Sequence, residues 1–433
     1  MRLLRKPHPV TMFVVWFLTV FLVLFPKGGL KIGPLPLTWG YLFLMFTAPP
    51  LLIVRMVAFP LRFPLRLWVV LGVVVPIQLI CIYSCVFYGF LSPSFAVSTL
   101  TNLFFLQWIF LVIYPPFLRY VDGERLSRYL RVCIFLAAVW GIFLFFWHPI
   151  TGHFIEIPYL TVNAADYGDL EYTKHIARGL FLKLISTYNN GNIYGVAMLI
   201  LLPLYELLEK VRWRVWVLKF ALVLTLSRTV WAGLVFVQLA PLVLLVMRQV
   251  AAFPRLRLGR FRRQAVAALV IVGFIFGALL FNSWKVSFLF DPNLGGRASG
   301  LGAFFDASLL PTEGLSGVAE VVYASAAIKM GYAGFVGFTL LLFSPALVLL
   351  VAPDALKSRS RTAALKGLML YAFLCVSDGG FNYIPIMAFY WFTYMIYLFG
   401  WPSATSVAPI RKQPVIAQVN APGGSLAVAR EAQ

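Results

Sequence analysis

Charged residues are scarce in this sequence: they make up 12% of its 433 residues, whereas hydrophobic residues make up 61%. Soluble domains carry roughly 25% charged residues, so the composition excludes an ordinary soluble globular fold. Uncharged runs such as 12–24, 68–82 and 265–281 approach or reach the ~17–25 residues with which a helix crosses a bilayer. The alternating ten-residue segments of a β-barrel are missing. We therefore predict an all-α polytopic integral membrane protein.

Acidic residues are rarer still, with 15 Asp and Glu against 36 Lys and Arg and a net charge of +21. In a soluble protein this surplus would indicate a nucleic-acid partner. Here the basic residues lie in short segments between apolar runs, as the positive-inside rule describes. We therefore expect membrane lipids as partners and no nucleic acid.

Cysteine and histidine are also few, with four of each. Cys81 and Cys85 have helical spacing, but no histidine or carboxylate lies near them in the sequence to complete a metal site. We therefore expect the four cysteines to be packing residues, and we expect no metal and no cofactor. Near the N-terminus, basic residues precede an apolar run without a small-residue cleavage site, which predicts an uncleaved first helix.

Apolar periodicity and length predict about twelve transmembrane helices. Their cores are 9–26, 35–54, 67–91, 99–117, 131–147, 192–208, 214–227, 229–247, 265–281, 331–352, 362–377 and 384–401. With the N-terminus inside, 26 of the 36 Lys and Arg fall in inward segments and nine in outward ones. This asymmetry predicts that both termini are cytoplasmic.

The same topology makes the two longest loops, 148–190 and 282–330, face outward, which in a bacterial inner membrane is the periplasmic side. We predict a single transmembrane domain over 1–401 and a disordered cytoplasmic tail over 402–433, whose composition is rich in Ala, Pro and Val. The sequence has no evident internal repeat of the kind common in transporters.

The first outward loop carries Arg178 and ends in STYNNGNIYG, a segment typical of a turn that leads into a helix. The amide side chains of Asn190 and Asn192 can cap that helix and can also bind a hydroxyl-rich ligand. A capping role alone is the alternative interpretation.

Arg228 lies in TLSRTVW, between two apolar runs. An arginine near membrane depth usually faces a cavity or a partner, and a guanidinium is well suited to a phosphate. We therefore favour an anion-binding role over a side chain that reaches to the outer interface.

The second outward loop surrounds Arg297 with glycines and later carries Glu320 and Tyr323. Its glycines do not form a P-loop, because the ending GK[ST] is missing. Helical spacing would put Glu320 and Tyr323 on one face, with the carboxylate pointing into a cavity; a solvated loop carboxylate is the alternative. Asp378 and Asn382, in the segment SDGGFNYIP, could line the same cavity.

Together these residues predict an outward-facing site with two arginines and a carboxylate. The arginines could stabilise a diphosphate leaving group as charge develops on it. The carboxylate could accept a proton from an attacking hydroxyl. We expect this chemistry to be independent of metal, since the sequence contains no convincing metal site.

The order of these motifs resembles that of the O-antigen ligase and polymerase superfamily of bacterial envelope glycosyltransferases. The resemblance extends over about 186–337 and includes STYNNGNIYG, TLSR, GGR and the later E-x-x-Y before G-x-x-G. It implies a glycosyltransferase of about a dozen helices whose donor is a glycan linked to undecaprenyl diphosphate.

The resemblance assigns roles to individual residues. It implies that Asn190 and Asn192 match the asparagines of an NPN-like segment, with Gly191 in place of the usual proline. It implies that Arg228 and Arg297 engage the diphosphate. Glu320 stands where ligases carry a histidine, which favours a polymerase over a ligase.

The predicted activity is therefore transfer of a growing O-antigen or exopolysaccharide chain from undecaprenyl diphosphate to a hydroxyl of the next lipid-linked repeat. We assign Glu320, Arg297 and Arg228 to catalysis, and Arg178, Asn190, Asn192, Tyr323 and Asp378 to substrate binding. Expected partners are the undecaprenyl-diphosphate-linked oligosaccharide and a chain-length regulator or flippase of the same pathway. The alternatives are a ligase that acts on lipid A core and a lipid-linked oligosaccharide flippase or other transporter.

Overall fold

The fold is mostly helical, and its long helices arise from the apolar runs of the sequence. The computed structural model describes residues 9–32, 35–59, 63–168, 170, 177–178, 181–238, 304–352 and 358–402. Its helices are α1 (Pro9–Thr19), α2 (Trp39–Ala58), α3 (Leu65–Tyr88), α4 (Pro93–Leu100), α5 (Gly123–Thr151), α6 (Gly191–Leu208), α7 (Arg212–Leu224), α8 (228–238), α9 (Val322–Val351), α10 (Arg359–Leu374) and α11 (Ile384–Phe399).

Two of these helices continue in π-helical geometry. α1 is extended by the π-helical Val20–Leu24, and α4 is extended by the π-helical Thr101–Phe105 and Ile109–Ile113, with the α-helical Leu106–Trp108 between them. A 3-10 helix, Pro115–Tyr120, then leads toward α5.

Among the described residues, six helical segments are long and apolar enough to cross a membrane. They are Trp39–Ala58, Leu65–Tyr88, Ser94–Ile113, Gly123–Thr151, Gly191–Leu208 and Val322–Val351. Pro9–Leu24 and Ile384–Phe399 are apolar as well but shorter. An all-α architecture with membrane-spanning helices therefore agrees with the sequence.

Most of the predicted helix cores coincide with helices in the structure. The predicted core 265–281 and almost all of the predicted tail lie outside the described residues, and each of the other cores overlaps a helix. α5 begins well before residue 131, because the side chain of Asp122 caps it by accepting from the backbone N–H groups of Glu124 (2.9 Å) and Arg125 (3.3 Å).

The largest boundary difference concerns α9. This helix begins at Val322, inside the segment predicted as a loop, and bends at Gly331, whose φ of 70° is left-handed. Glycine adopts this conformation at little steric cost. A side chain at position 331 would also meet the carbonyl oxygen of Leu309 at 2.6 Å. The predicted loop is therefore shorter than 282–330 at its C-terminal side.

Two short antiparallel hairpins accompany the helices. β1 (Gly29–Ile32) pairs with β2 (Leu35–Thr38), with Gly29 opposite Thr38. β3 (Ala177–Arg178) pairs with β4 (Phe181–Leu182). The first hairpin joins α1 to α2 and is held by Asn163, which donates to the backbone carbonyl of Leu30 at 2.5 Å.

The core is centred on α6 and α11, whose side chains are buried along most of their length. Small residues let neighbouring helices approach them. A side chain at Gly367 of α10 would collide with the carbonyl oxygen of Ile200, and one at Gly195 of α6 would collide with Val230 of α8.

The two ends of the bundle differ in charge. One end, called here the basic end, is where α2, α6 and α11 terminate and where α3, α7 and α10 begin. It carries Arg55, Arg66, Arg119, Arg125, Arg128, Arg131, Lys210, Arg212, Arg214, Arg359, Arg361 and Lys366. The opposite end, called here the site end, has half as many described basic residues: Lys27, Lys31, Arg178, Lys183, Arg228 and Lys329.

Candidate functional site

The predicted site residues that the structure describes lie at the site end, where several helices start. α6, α8, α9 and α11 all begin there, and α10 ends there. The first turn of a helix leaves backbone N–H groups without intrahelical partners and carries a partial positive charge. Each of these helix starts is therefore a local position that favours an anion.

Asn190 is the N-cap of α6. Its backbone is extended, and its side-chain oxygen accepts from the backbone N–H groups of Asn192 (2.8 Å) and Ile193 (3.3 Å). These contacts match the capping role considered from the sequence. The oxygen of Asn190 is thus already committed to the helix.

Gly191, which follows the cap, is enclosed on three sides. A Cβ atom there would lie 2.6 Å from the carbonyl oxygen of Leu184, 3.2 Å from Cβ of Lys183 and 3.3 Å from the carbonyl oxygen of Thr225. The first of these distances is too short for any side chain. A glycine at position 191 is therefore required by the packing of this turn.

Asn192 connects α6 to the segment between α10 and α11. Its Nδ2 donates a 2.6 Å hydrogen bond to Oδ2 of Asp378, a residue only 3% exposed. The carboxylate accepts hydrogen bonds only, and this fixes which amide atom of Asn192 faces it. Oδ1 of Asn192 is buried as well and has no hydrogen-bond donor among the residues that the structure describes.

Arg228 is the first residue of α8, after a tight turn in which Leu226 has a φ of 48°. Arg228 is half-buried. Its neighbour Thr229 makes a 2.9 Å hydroxyl–hydroxyl hydrogen bond with Ser377. Because Ser377 precedes Asp378, the start of α8 and the Asn192–Asp378 contact belong to one cluster.

Glu320 joins the same cluster through its backbone. Its carbonyl oxygen accepts a 2.8 Å hydrogen bond from the N–H of Gly379, the residue after Asp378. The residue is exposed, unlike Asp378. An exposed acidic residue is thus joined through its backbone to the segment that holds a buried one.

The predicted pairing of Glu320 and Tyr323 on one helical face is wrong. α9 begins at Val322, so Glu320 precedes the helix and helical spacing does not apply to it. Tyr323 instead turns toward α10, where its hydroxyl donates to the carbonyl oxygen of Ala372 at 2.9 Å. The hydrogen bond that the structure describes for the Tyr323 hydroxyl is therefore with the backbone of α10.

Tyr383 and Lys27 belong to the site although the sequence analysis did not assign them to it. Burial raises the pKa of Tyr383, and the negative charges of Glu320 and Asp378 raise it further. Nζ of Lys27 lies 5.4 Å from the centroid of the Tyr383 ring. The sequence feature that could have identified Tyr383 as a site residue is its position in the same short segment as Asp378.

Asn382 has a supporting role in the same segment. Its Oδ1 accepts from the backbone N–H of Val318 (3.0 Å) and from the hydroxyl of Thr99 (3.4 Å). Asn102 holds the preceding residue by donating to the carbonyl oxygen of Phe381 at 2.5 Å. These contacts fix the segment 377–383 against α4 and its extension.

The remaining predicted residues are Arg178 and Arg297. Arg178 lies in β3 opposite Phe181. Arg297 lies outside the described residues. The structure thus brings together Asn190, Asn192, Arg228, Glu320 and Asp378, adds Tyr383 and Lys27, and directs Tyr323 elsewhere.

Metal binding has no support within the described ranges, which contain no group of three or more His, Cys, Asp or Glu side chains that could hold an ion. No protein-family model matches the sequence. No curated protein matches it either.

Proposed function

We propose that this chain is a polysaccharide polymerase of a bacterial inner membrane, with its site on the periplasmic side. It would transfer a growing glycan from undecaprenyl diphosphate to a hydroxyl of the next lipid-linked repeat unit. The observation that carries the proposal is the cluster of Asn192, Arg228, Glu320 and Asp378, which come from four separate chain segments. The segments are linked by the side-chain hydrogen bonds Asn192–Asp378 and Thr229–Ser377. The backbone hydrogen bond from Gly379 to Glu320 links the fourth segment.

The positive elements of the cluster support binding of a diphosphate. Arg228 stands at the first turn of α8, and α6, α9 and α11 begin at the same end. A guanidinium can form a bidentate contact with phosphate oxygens, and helix N-termini add partial positive charge. Arg297, as the resemblance implies, would contribute a second guanidinium.

A buried acceptor supports recognition of a hydroxyl-rich substrate. Oδ1 of Asn192 has no donor among the described residues, while its Nδ2 is held by Asp378. A buried polar atom without a partner costs free energy of about 1–3 kcal/mol. A sugar hydroxyl that donates to this oxygen would remove the cost.

The two carboxylates suit different tasks. Asp378 is buried and accepts a hydrogen bond from Asn192, so we assign it to positioning. Glu320 is exposed, and we assign it as the general base. The acceptor oxygen would form a bond to the anomeric carbon of the donor, its proton would pass to Glu320, and the bond from that carbon to the diphosphate oxygen would break. The electron pair would leave with undecaprenyl diphosphate, stabilised by the arginines.

The charge of the two ends supports the orientation. The end opposite the cluster carries twice as many described basic residues as the site end. Positive residues concentrate on the cytoplasmic side of inner-membrane proteins. The cluster would then face the periplasm, where lipid-linked repeats are joined in the proposed reaction.

An ion pair weighs against transport, the alternative of another class. Lys219 lies inside α7 and is a charge that could be near the middle of the membrane, where a transporter binds its substrate. Its Nζ pairs with Oε1 of Glu206 at 2.7 Å and lies 5.2 Å from the centroid of the Trp216 ring. Lys219 is thus engaged by neighbours on α6 and α7.

The direct test is a reaction of the purified protein with an undecaprenyl-diphosphate-linked repeat from the source membranes, with the products resolved on a gel. A ladder spaced by one repeat is expected, and its loss in Arg228→Ala at unchanged abundance would link it to the site. Arg212→Ala, an arginine at the basic end, is the matched control and should keep the ladder.

Other products would change the assignment. Transfer onto added lipid A core without a ladder would indicate a ligase. If a folded protein forms neither product but moves the lipid-linked repeat across vesicles, the enzymatic proposal is wrong and transport is favoured.

A further inference from the structure

A cavity lies away from the candidate site, between α1 and α2. It has a volume of about 430 Å³, within the roughly 300–1,000 Å³ typical of ligand sites. Its floor is formed by the segment 110–121 and by α11. Along α1 it extends from Val10 to Val23, which at 1.5 Å per residue is roughly 20 Å. We refer to it as the α1–α2 groove.

The surface of the groove is almost entirely hydrocarbon. Most of its few hydroxyls are engaged within the protein: that of Thr19 donates to the carbonyl of Val15 at 2.7 Å, and that of Thr47 donates to the carbonyl of Phe43 at 2.8 Å and hydrogen-bonds the hydroxyl of Tyr114. A polar solute would therefore find few donors or acceptors there. The chemistry fits an aliphatic chain.

The groove opens toward the bilayer rather than toward the site end. At the site end the two helices are in contact, since the rings of Phe17 and Phe43 lie 4.2 Å apart and a side chain at Gly40 would meet Leu22 at 2.7 Å. Phe46, which lines the groove, is 74% exposed. A chain in the groove would enter from the side or from the basic end.

A positive charge lies next to the basic end of the groove, on a residue that does not itself line it. Arg119 lies in the 3-10 helix between the groove residues Leu118 and Val121, and it is exposed. Its guanidinium carbon is 4.4 Å from the ring centroid of Phe59, and within the described residues it forms no ion pair. An exposed guanidinium beside an aliphatic groove is complementary to an anionic headgroup with its attached acyl chain.

We infer that the α1–α2 groove binds one anionic phospholipid from the leaflet at the basic end. One acyl chain occupies the groove, and the phosphate contacts Arg119. A length of roughly 20 Å exceeds half of the ~30 Å hydrocarbon core, so the groove accommodates a chain from a single leaflet. This inference is independent of the proposed polymerase activity.

The test is native mass spectrometry of the purified full chain, titrated with phosphatidylglycerol or with the zwitterionic phosphatidylethanolamine. The expected result is one tightly retained phosphatidylglycerol per chain. Leu51→Trp, which fills the groove, should abolish retention. Arg119→Gln should weaken it by about tenfold, the effect of losing one charge-assisted hydrogen bond.

Ile53→Trp is the matched control, because Ile53 lies on the same helix but is 63% exposed and does not line the groove. Thermal unfolding of each variant in detergent checks that the fold is intact. Equal retention of the two lipids, or equal loss in Leu51→Trp and Ile53→Trp, would overturn the inference. So would a dimer in which a second copy of the chain, rather than a lipid, protects the groove.

Discussion

Asn192 and Asp378 are 186 residues apart in the sequence, yet Nδ2 of one donates to Oδ2 of the other at 2.6 Å. This hydrogen bond joins the start of α6 to the segment between α10 and α11. Because Asp378 is buried, the amide donor helps to keep its charge inside the protein. We therefore expect the contribution of each residue to the free energy of unfolding to depend on the presence of the other.

The first prediction concerns this pair. Asn192→Ala should lower the free energy of unfolding by roughly 1.5–3 kcal/mol, since it removes a hydrogen bond to a charged group. Asp378→Asn should be milder, because an amide keeps the shape of the carboxylate. Thermal unfolding of both single variants and of the double variant in detergent measures the coupling. Additive effects of the two substitutions would show that the contact contributes nothing.

The second prediction concerns the proximity of Glu320 to Tyr383. The pKa of Tyr383 is raised by burial and by the two carboxylates, so its phenol should stay protonated above the ordinary value of about 10. Tyrosinate absorbance, measured as the difference between the parent protein and Tyr383→Phe, should follow this titration. Glu320→Gln should shift it to lower pH. An unchanged titration in Glu320→Gln would contradict the arrangement.

The sign of the related stability change follows from linkage. Above about pH 10 the tyrosine of the unfolded chain loses its proton before that of the folded protein, because the folded-state pKa is raised. The free energy of unfolding therefore falls as the pH rises through this range. The stabilising contribution is fully lost only when the pH passes the folded-state pKa. Tyr383→Phe should therefore be less sensitive to alkali than the parent protein.

The third prediction concerns Gly191. Gly191→Ala should destabilise the protein by roughly 1–3 kcal/mol, because the new methyl group would overlap the carbonyl oxygen of Leu184. Gly72→Ala is the control: apart from its own helix backbone, no described atom lies within 4 Å of the added Cβ, and alanine is favoured over glycine inside a helix by about 0.5–1 kcal/mol. Denaturation in detergent compares the two, and equal stabilities would refute the steric argument.

The fourth prediction concerns Glu209, a buried carboxylate at the basic end. Oε1 lies 3.5 Å from Nη1 of Arg131, and Oε2 lies 3.7 Å from Nη1 of Arg214. The arginines are partly exposed, which reduces the effect of breaking the pairs. Glu209→Gln should still cost roughly 1–3 kcal/mol of stability. Glycan transfer per folded molecule should be unchanged, and a selective loss of activity would place Glu209 in the catalytic apparatus.

The fifth prediction concerns the chemistry of the two charged site residues. Arg228→Lys should restore only part of the glycan ladder lost in Arg228→Ala, because an ammonium cannot make the bidentate phosphate contact of a guanidinium. Glu320→Gln should be nearly as inactive as Glu320→Ala if the carboxylate is a base. Normal chain lengths in Glu320→Gln would leave the residue without a catalytic role.

Amino-acid composition and apolar runs were enough to predict the helical class and most helix positions, because burial in hydrocarbon requires long uncharged segments that fulfil their own backbone hydrogen bonds. The cap at Asn190 could be predicted in the same way, because capping is a contact between neighbours in the sequence. Local chemistry therefore determined the helices, their approximate ends and a set of polar residues that includes Asn192, Arg228 and Asp378.

Only the tertiary structure decided how those polar residues meet. The bend at Gly331 and the start of α9 at Val322 depend on packing against distant segments, so helical spacing wrongly paired Glu320 with Tyr323. Tyr383 is part of the site, whereas the hydroxyl of Tyr323 donates to the carbonyl oxygen of Ala372. Contacts between residues far apart in the chain have no periodic signal in the sequence, because they arise from the way complete helices pack.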